Sequence, residues 1–311
     1  MLTVETHATS HIGRVRQGNE DNFLMMHITD SKTWISSQEP GEFVIESQNF
    51  EIDSNGIVLA VSDGMGGALA GEVASKMAVE TVSRRFLEED PEKTLSPENF
   101  NDSLAAKLYD ATVFANHLIH QQGRTDPQYN GMGATFTAVG ITPEEVNLVQ
   151  VGDSRVYLIR NQQIYQVTKD QSLVQQLIDA QQILPEEAET HSLKNVILQA
   201  LGAQPEIYPV AARLIPQRED ILLLCSDGLS NKVNGMDMQQ IVLEHISQLE
   251  VATAELVKKA NERGGDDNIT VILARITGEE LSPATEEEIK LEILDLGNIH
   301  DTAEQDTAEI L

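Results

Sequence analysis

Two short stretches of this chain are apolar at every position, Ile57-Val58-Leu59-Ala60-Val61 and Ile221-Leu222-Leu223-Leu224-Cys225. Continuous aliphatic and β-branched runs of this length predict strands buried on both faces. Each run ends at the same tripeptide, Ser62-Asp63-Gly64 and Ser226-Asp227-Gly228. After Met65-Gly66-Gly67, the residues Val73, Ala74, Met77, Ala78, Thr81 and Val82 recur at helical spacing, so a helix follows the glycines. A second helix is expected to open at Ser96-Pro97, an N-cap followed by proline at the first helical position. Its apolar stripe is Phe100, Leu104, Leu108, Ala111, Ala115 and Leu118.

Gly131-Met132-Gly133 then introduces short strands at 134–139, 146–151 and 156–159 and, past a turn at Asn161-Gln162, at 164–167. Helices are predicted around 238–245 and 252–261, and a last strand at 269–276. The residues up to about Met26 read as a loop followed by a short strand. Two consecutive helices followed by a meander of strands indicate an α+β fold rather than alternating βαβ units.

Three segments stand outside this pattern. Residues 30–55 are polar, rich in Ser, Gln and Glu, and hold the single tryptophan, Trp34. Residues 172–195 are helical at first, then irregular and interrupted by Pro185. From Glu279 onward eleven acidic residues face one lysine, Lys290, so 278–311 reads as a mobile acidic tail, with Ile289, Ile293 and Leu296 as one apolar helical face. The expected organisation is one domain over 1–277 followed by that tail.

Charge narrows the function classes. The 311 residues carry 50 acidic and 21 basic side chains, a formal net charge of −29. Such a chain repels phosphate backbones and anionic headgroups, which argues against nucleic-acid and membrane-surface partners. No apolar run approaches the length of a membrane span, and the first residues lack the pattern of a signal peptide. The one cysteine, Cys225, excludes a disulfide framework and a cysteine-rich zinc site, and suits a reducing compartment. A cytoplasmic, globular protein is the expectation.

Candidate chemistry gathers at strand ends. Asp63 and Asp227 follow fully apolar strands, and Asp267 precedes the last one. A single Asp-Gly pair is ordinarily a tight turn. Several aspartates converging at strand mouths would repel one another unless a cation neutralised them, and hard carboxylate oxygens suit Mg²⁺ or Mn²⁺. Spacing alone leaves the turn and the metal site both open. The segment Gly13-Arg14-Val15-Arg16-Gln17-Gly18-Asn19-Glu20-Asp21 adds two arginines and two carboxylates, which is either a solvated charged loop or an arginine aimed at a phosphate.

Taken in order, Arg16-x-x-x-Glu20-Asp21, Val61-Ser62-Asp63-Gly64-Met65-Gly66-Gly67, Gly131-Met132-Gly133-Ala134-Thr135, Val151-Gly152-Asp153-Ser154-Arg155, Ser226-Asp227-Gly228 and Asp267-Asn268 resemble the metal-dependent serine/threonine protein phosphatases of type 2C, in their compact bacterial form. The resemblance spans roughly His7 to Ile276 and leaves the tail outside. It implies two packed, mainly antiparallel sheets sandwiched between helices, with metals in the cleft between the sheets.

It also implies that Asp63 bridges two Mn²⁺ or Mg²⁺ ions, one of them bound by the Gly64 carbonyl, that Asp227 and Asp267 complete the first shell, and that Glu20 holds the second ion through water. Asp153, with Asp227, would contribute to a weaker third site, and Arg16 would grip the substrate phosphate. Asp21 would support Arg16 or its loop. The implied reaction is hydrolysis of phosphoserine and phosphothreonine in proteins by a metal-bridging hydroxide, carried out by a monomer. The alternative is an inactive module that recognises phosphoproteins through the same cleft.

The chain departs from the family at two places. Met65 stands where many relatives carry a histidine general acid, so metal-bound water is the simplest expected proton donor, with His191, near the end of the flap-like segment 172–195, as a second candidate. Asp170-Gln171-Ser172 replaces Asp-His-Ser, with Asp170 expected at the cleft edge. Of the pair Asp266 and Asp267, the family pattern favours the residue preceding asparagine.

Overall fold

A computed structural model describes residues 2–36, 42–88, 103–188, 190–285 and 288–296. In chain order the elements are β1 (Leu2–His11), β2 (Asp21–His27), β3 (Lys32–Ile35), β4 (Glu42–Ile52), β5 (Ile57–Met65), α1 (Ala68–Glu88), α2 (Leu104–Thr125), β6 (Gly133–Ala134), β7 (Phe136–Ile141), β8 (Val146–Val151), β9 (Arg155–Arg160) and β10 (Gln163–Gln166). They continue with α3 (Leu173–Asp179), α4 (Pro185–Ala188), β11 (Val210–Leu214), β12 (Asp220–Cys225), α5 (Asp227–Ser230), α6 (Gly235–Glu244), α7 (Leu249–Glu262), β13 (Ile269–Thr277) and β14 (Glu292–Leu294). The pairing is antiparallel throughout, in two sheets ordered β10-β9-β12-β13-β1-β4 and β14-β11-β8-β7-β5-β2-β3, with β6 joined to the end of β5.

Both apolar runs form central strands because both of their faces are covered. On β5, Leu59 and Val61 point into the space between the sheets, whereas Val58 and Ala60 point towards α1 and α2. On β12, Leu222 and Leu224 face between the sheets, and Ile221, Leu223 and Cys225 face the layer of α6 and α7. The result is four layers, helices–sheet–sheet–helices, with three apolar clusters between them. No helix among the described residues is long and apolar enough to cross a membrane.

Four segments differ from the sequence expectation. The first residues form β1, a central strand paired with β13 on one side and β4 on the other. Its polar, threonine-rich face hid it from a hydrophobic pattern. Residues 30–55 are not a loop insertion: they supply β3 and β4, one edge strand for each sheet. The second helix is capped by Ser103, whose hydroxyl accepts from the Ala106 N–H at 3.2 Å, and the expected start at Ser96-Pro97 lies outside the described residues.

The acidic tail, in turn, is not wholly free. Glu292–Leu294 pairs with β11, Leu281 and Leu296 are buried, and Arg218 donates to the carbonyls of Gly278, Glu279 and Leu281. Residues 297–311 lie outside the described part.

Candidate active site

Asp21 and the four aspartates proposed as metal ligands come from five segments that meet at one mouth of the inter-sheet space. Asp21 at the start of β2 is the register partner of Asp63 near the end of β5. Asp153 sits in the β8–β9 turn, Asp227 opens α5 directly after β12, and Asp267 precedes β13. The cleft between them has a volume of about 400 Å³ and is lined by Arg16, Gln17, Gly18, Glu20, Asp63 to Gly67, Asp153, Asn195, Ile197, Asp227 and Asp267.

Local chemistry fixes each group. The Asp63 N–H donates to the Thr135 hydroxyl at 2.9 Å and its carbonyl accepts from the Thr135 N–H at 2.8 Å, which ties β5 to the Gly133-Ala134 strand. Gly64 must be glycine: a Cβ there would collide with the Gly71 carbonyl in the first turn of α1 and lie 2.8 Å from the carbonyl of Glu20. Gly66 follows with φ of 112°, a left-handed backbone that turns the chain into α1.

Asn268 clamps the loop that carries Arg16. Its carboxamide oxygen accepts from the Glu20 N–H at 2.8 Å, and its nitrogen donates to the carbonyls of Ile12 and Gly18, each at 2.9 Å. The sequence showed Asn268 only as part of a motif; the clamp accounts for the residue type, because a single carboxamide both donates and accepts.

Electrostatically the cleft is acidic and poorly compensated. Burial first, then the charges of Asp21, Asp227, Asp153 and Asp267, push the Asp63 carboxyl well above the usual carboxylate range. Burial and then Asp227 raise Asp153 to about 7, and burial raises Asp21 to about 7 against a hydrogen bond from Ser226. Asp227 is raised by burial and then by Asp267. One oxygen of Asp227 and one of Asp21 are buried without a hydrogen-bond partner.

Among the described lining residues Arg16 is the single basic side chain. Its Nη2 donates to Asp267 Oδ2 at 2.8 Å and its Nη1 lies 4.0 Å from Glu20 Oε1. Burial opposes the charge on Arg16, but Asp267, then Glu20 and Asp63, outweigh it and hold its pKa above the ordinary value.

Among the described residues no three His, Cys, Asp or Glu side chains are drawn tightly enough together to form a closed metal-holding group. The carboxylates instead ring an open cavity, with the guanidinium of Arg16 taking up part of their charge. The donors are all hard oxygens, one of them, on Asp227, buried without a partner, and such a set suits Mn²⁺ or Mg²⁺ better than zinc.

The remaining candidates separate cleanly. Asp266 points away from the cleft and pairs with Lys232, whereas Asp267 faces into it. Asp21 does not meet Arg16; its Oδ2 accepts from the Ser226 hydroxyl at 2.7 Å, beside Asp227. Asp170 receives a two-pronged bond from Arg155, at 2.8 and 2.6 Å, and Gln171 accepts from the Gly152 N–H at 2.8 Å, which buttresses the Asp153 turn. His191 is not among the lining residues, and its Nδ1 accepts from the Leu193 N–H in a local turn.

The same segment reaches the cleft through Asn195 and Ile197, which sequence reasoning missed because nothing in an irregular stretch marks the residues that fold back. Met65 lines the cleft as well. Cys225 is buried, and burial pushes its thiol up to about 12, so it is packing material rather than a nucleophile.

Comparison with known proteins points one way. The family model described as protein phosphatase 2C matches residues 46–260. The chain is 38% identical over 223 residues to protein phosphatase PhpP of Streptococcus pneumoniae, covering 72% of this chain and 87% of that one. It is 38% identical over 225 residues to serine/threonine phosphatase stp of Listeria welshimeri, covering 72% and 86%. The solved catalytic domain of PstP in complex with two manganese ions superposes with a TM-score of 0.69 at 30% identity, covering 89% of this chain and 100% of that structure.

Proposed function

The chain belongs to the protein phosphatase 2C family and is a metal-dependent serine/threonine protein phosphatase, and from that premise we propose how its residues divide the reaction. Asp63, the Gly64 carbonyl, Glu20, Asp227 and Asp267 would hold two divalent cations, Mn²⁺ or Mg²⁺, with Asp153 beside Asp227 available to a weaker third. When bound, the ions supply an activated water for attack on phosphorus and neutralise charge on the phosphoryl oxygens.

The chain's own residues do the rest. Arg16 offers a planar fork to two phosphate oxygens and fixes the orientation of the phosphoester. Asp63 is rigid because Thr135 binds it on both sides of its peptide, and Glu20 is fixed by Asn268. The described lining residues include no serine, threonine, cysteine or histidine to act as a covalent nucleophile, which supports direct attack by water. Met65 provides no proton, so the leaving serine or threonine oxygen takes its proton from solvent held in the cleft.

The observation that carries this reading is the gathering of Asp63, Asp153, Asp227 and Asp267 around one cavity in which Arg16 is the only basic side chain among the described residues. The domain reading follows from it: catalytic machinery from β1 to β13, with β14 and the residues after it an extension. The lone, buried Cys225 supports a reducing, cytoplasmic setting.

The purified chain is expected to release phosphate from phosphoserine and phosphothreonine peptides when Mn²⁺ is added, and to stop when the metal is chelated. Absence of release with every divalent metal tried, while the phosphopeptide still binds, would instead identify a recognition module.

A further inference from the structure

The segment that reaches the cleft through Asn195 and Ile197 carries exposed apolar side chains on its other side. Val196 and Leu198 flank Ile197 along an extended stretch, which the bonds from Leu173 N–H to the Val196 carbonyl (2.8 Å) and from Leu198 N–H to the Gln171 carbonyl (2.7 Å) hold in place. Gln199 then exchanges two bonds with the backbone of Tyr208: its Oε1 accepts from the Tyr208 N–H at 2.8 Å and its Nε2 donates to the Tyr208 carbonyl at 3.3 Å. Buried and exposed positions alternate from Ile207 to Val210, so Ile207 and Pro209 pack inward while Tyr208 and Val210 stand outward.

Tyr208, at 68% exposure, is the most open of the four. Val196, Leu198, Tyr208 and Val210 thus lie on two adjoining extended segments, a strip on the order of 20 Å from end to end. Contiguous apolar exposure of this kind beside a cleft marks a contact surface.

The last described residues of the chain arrive at the far end of this strip. β14 runs antiparallel to β11 with Leu294 opposite Ala211, and β11 runs antiparallel to β8 with Val210 opposite Gln150. β14 therefore heads for the end of the sheet where β8 turns, at Asp153, into the cleft. Two residues further along the same register, Leu296 comes level with Pro209. Leu296 is buried in one apolar cluster with Ile207, Ala211 and Tyr109. Burial first, then Asp295 and Tyr208, raise the pKa of the Tyr109 hydroxyl, which sets Asp295 and Tyr208 beside the same group.

Fifteen residues, 297–311, follow Leu296. Fully extended they reach at most about 50 Å, more than twice the strip. Their apolar side chains sit near the two ends, Ile299 at one and Ile310-Leu311 at the other, with the acidic stretch 301–309 between them. Ile299 falls about 10 Å beyond Leu296, within reach of Tyr208 and Val210, and Ile310-Leu311 can reach Leu198 and Val196. The tether raises the local concentration of these side chains to the millimolar range, so a few apolar contacts suffice against the repulsion of an acidic chain.

We propose that residues 297–311 dock on this strip, with Ile299 against Tyr208 and Val210 and Ile310-Leu311 against Leu198 and Val196, which lays the end of the chain along the rim of the cleft. A protein substrate approaching from that side has to displace it, whereas a small phosphoester does not. Only this consequence rests on the phosphatase reading; the docking does not.

A peptide of residues 297–311 is titrated by calorimetry into the chain ended after Leu296, at about 0.3 M salt to screen long-range repulsion. Saturable binding is expected with a midpoint below about 1 mM. The midpoint should rise at least about fivefold in the full-length chain, where the strip is taken, and in the shortened chain carrying Tyr208→Ser and Leu198→Ser. Equal midpoints in any of these comparisons overturn the proposal.

Because Cys225 is buried, introduced thiols can be followed alone. In the full-length protein Leu198→Cys with Leu311→Cys is expected to close an intramolecular disulfide about tenfold faster than Ile215→Cys with Leu311→Cys. Ile215 is exposed, follows the other end of β11 and lies within the same reach, so equal rates also overturn the proposal. Should the peptide fail to bind while Tyr208→Ser raises KM for a phosphoprotein and leaves turnover of p-nitrophenyl phosphate unchanged, the strip belongs to protein substrates. That result overturns the docking and leaves the phosphatase reading intact.

Discussion

Arg16 and Asp267 are joined by a 2.8 Å charge-assisted hydrogen bond across 251 residues of sequence, with Glu20 on the other side of the guanidinium at 4.0 Å. The cation proposed to grip phosphate therefore rests on a carboxylate proposed to hold metal. On the proposed roles, metal loading at Asp267 would free the guanidinium for substrate.

Phosphate and metal binding are thus expected to be cooperative in the native chain. Calorimetry should show inorganic phosphate binding tighter with Mn²⁺ present than after chelation. In Arg16→Ala that difference shrinks, Mn²⁺ affinity does not fall, and kcat/KM on a phosphopeptide drops about 10- to 100-fold, the worth of a bidentate charged hydrogen bond. A large loss of Mn²⁺ affinity in Arg16→Ala would contradict this order.

Asp63→Ala removes the carboxylate that stands at the centre of the ring. Phosphate release is expected to fall to background, and calorimetry should count fewer discrete Mn²⁺ sites than in the native chain. Retention of native turnover by this variant would remove the basis for the catalytic assignment.

The raised carboxyls give the metal-free protein a definite pH dependence. Asp63, Asp153, Asp227 and Asp21 all have folded pKa values above their unfolded ones, so the folded state binds more protons above about pH 4, in a window that reaches about pH 7 for Asp153 and Asp21. Their contribution is greatest below that window and is lost as pH rises through it. Bound metal reverses the penalty by pairing the ionised forms. Thermal melts should therefore show a larger gain from Mn²⁺ near pH 8 than near pH 5.5, and equal gains at the two values would show that these carboxylates do not hold it.

The extension after β13 is expected to matter for stability. Ending the chain after Thr277 removes the β14–β11 pairing, the Arg218 bonds and two buried leucines, Leu281 and Leu296. Burial of the two side chains alone is worth about 3–6 kcal/mol, so denaturant melts of the shortened chain should shift down clearly. Ending it after Leu296 retains every one of these contacts and is expected to leave the melt close to that of the full chain.

How far the sequence was readable depended on what each residue packs against. β5 and β12 were legible because both faces of each strand are covered, which demands an unbroken apolar run. Asp63 and Asp227 were legible because they close those runs. β1 was not, because it buries Thr6, Thr9 and Ser10, whose hydroxyl lies 2.8 Å from that of Thr270, and buried hydroxyls leave no hydrophobic signature. β3 and β4 are edge strands with one half-solvated side, so their composition resembles a loop. Asn195 and Ile197 reach the cleft only because Ile197 bridges to Ser172, a contact set by tertiary folding.

The pairing of β1 with β13, in which His11 lies opposite Ile269, has a consequence for biogenesis. A ribosome adding roughly 5–20 residues per second leaves the β13 side of β1 unpaired for tens of seconds after it emerges. The six-stranded sheet cannot be completed until β13 has emerged, so the nascent chain presents unpaired strand edges until then. Its yield in a cell should depend on chaperone capacity more than that of a protein whose sheets zip up in order.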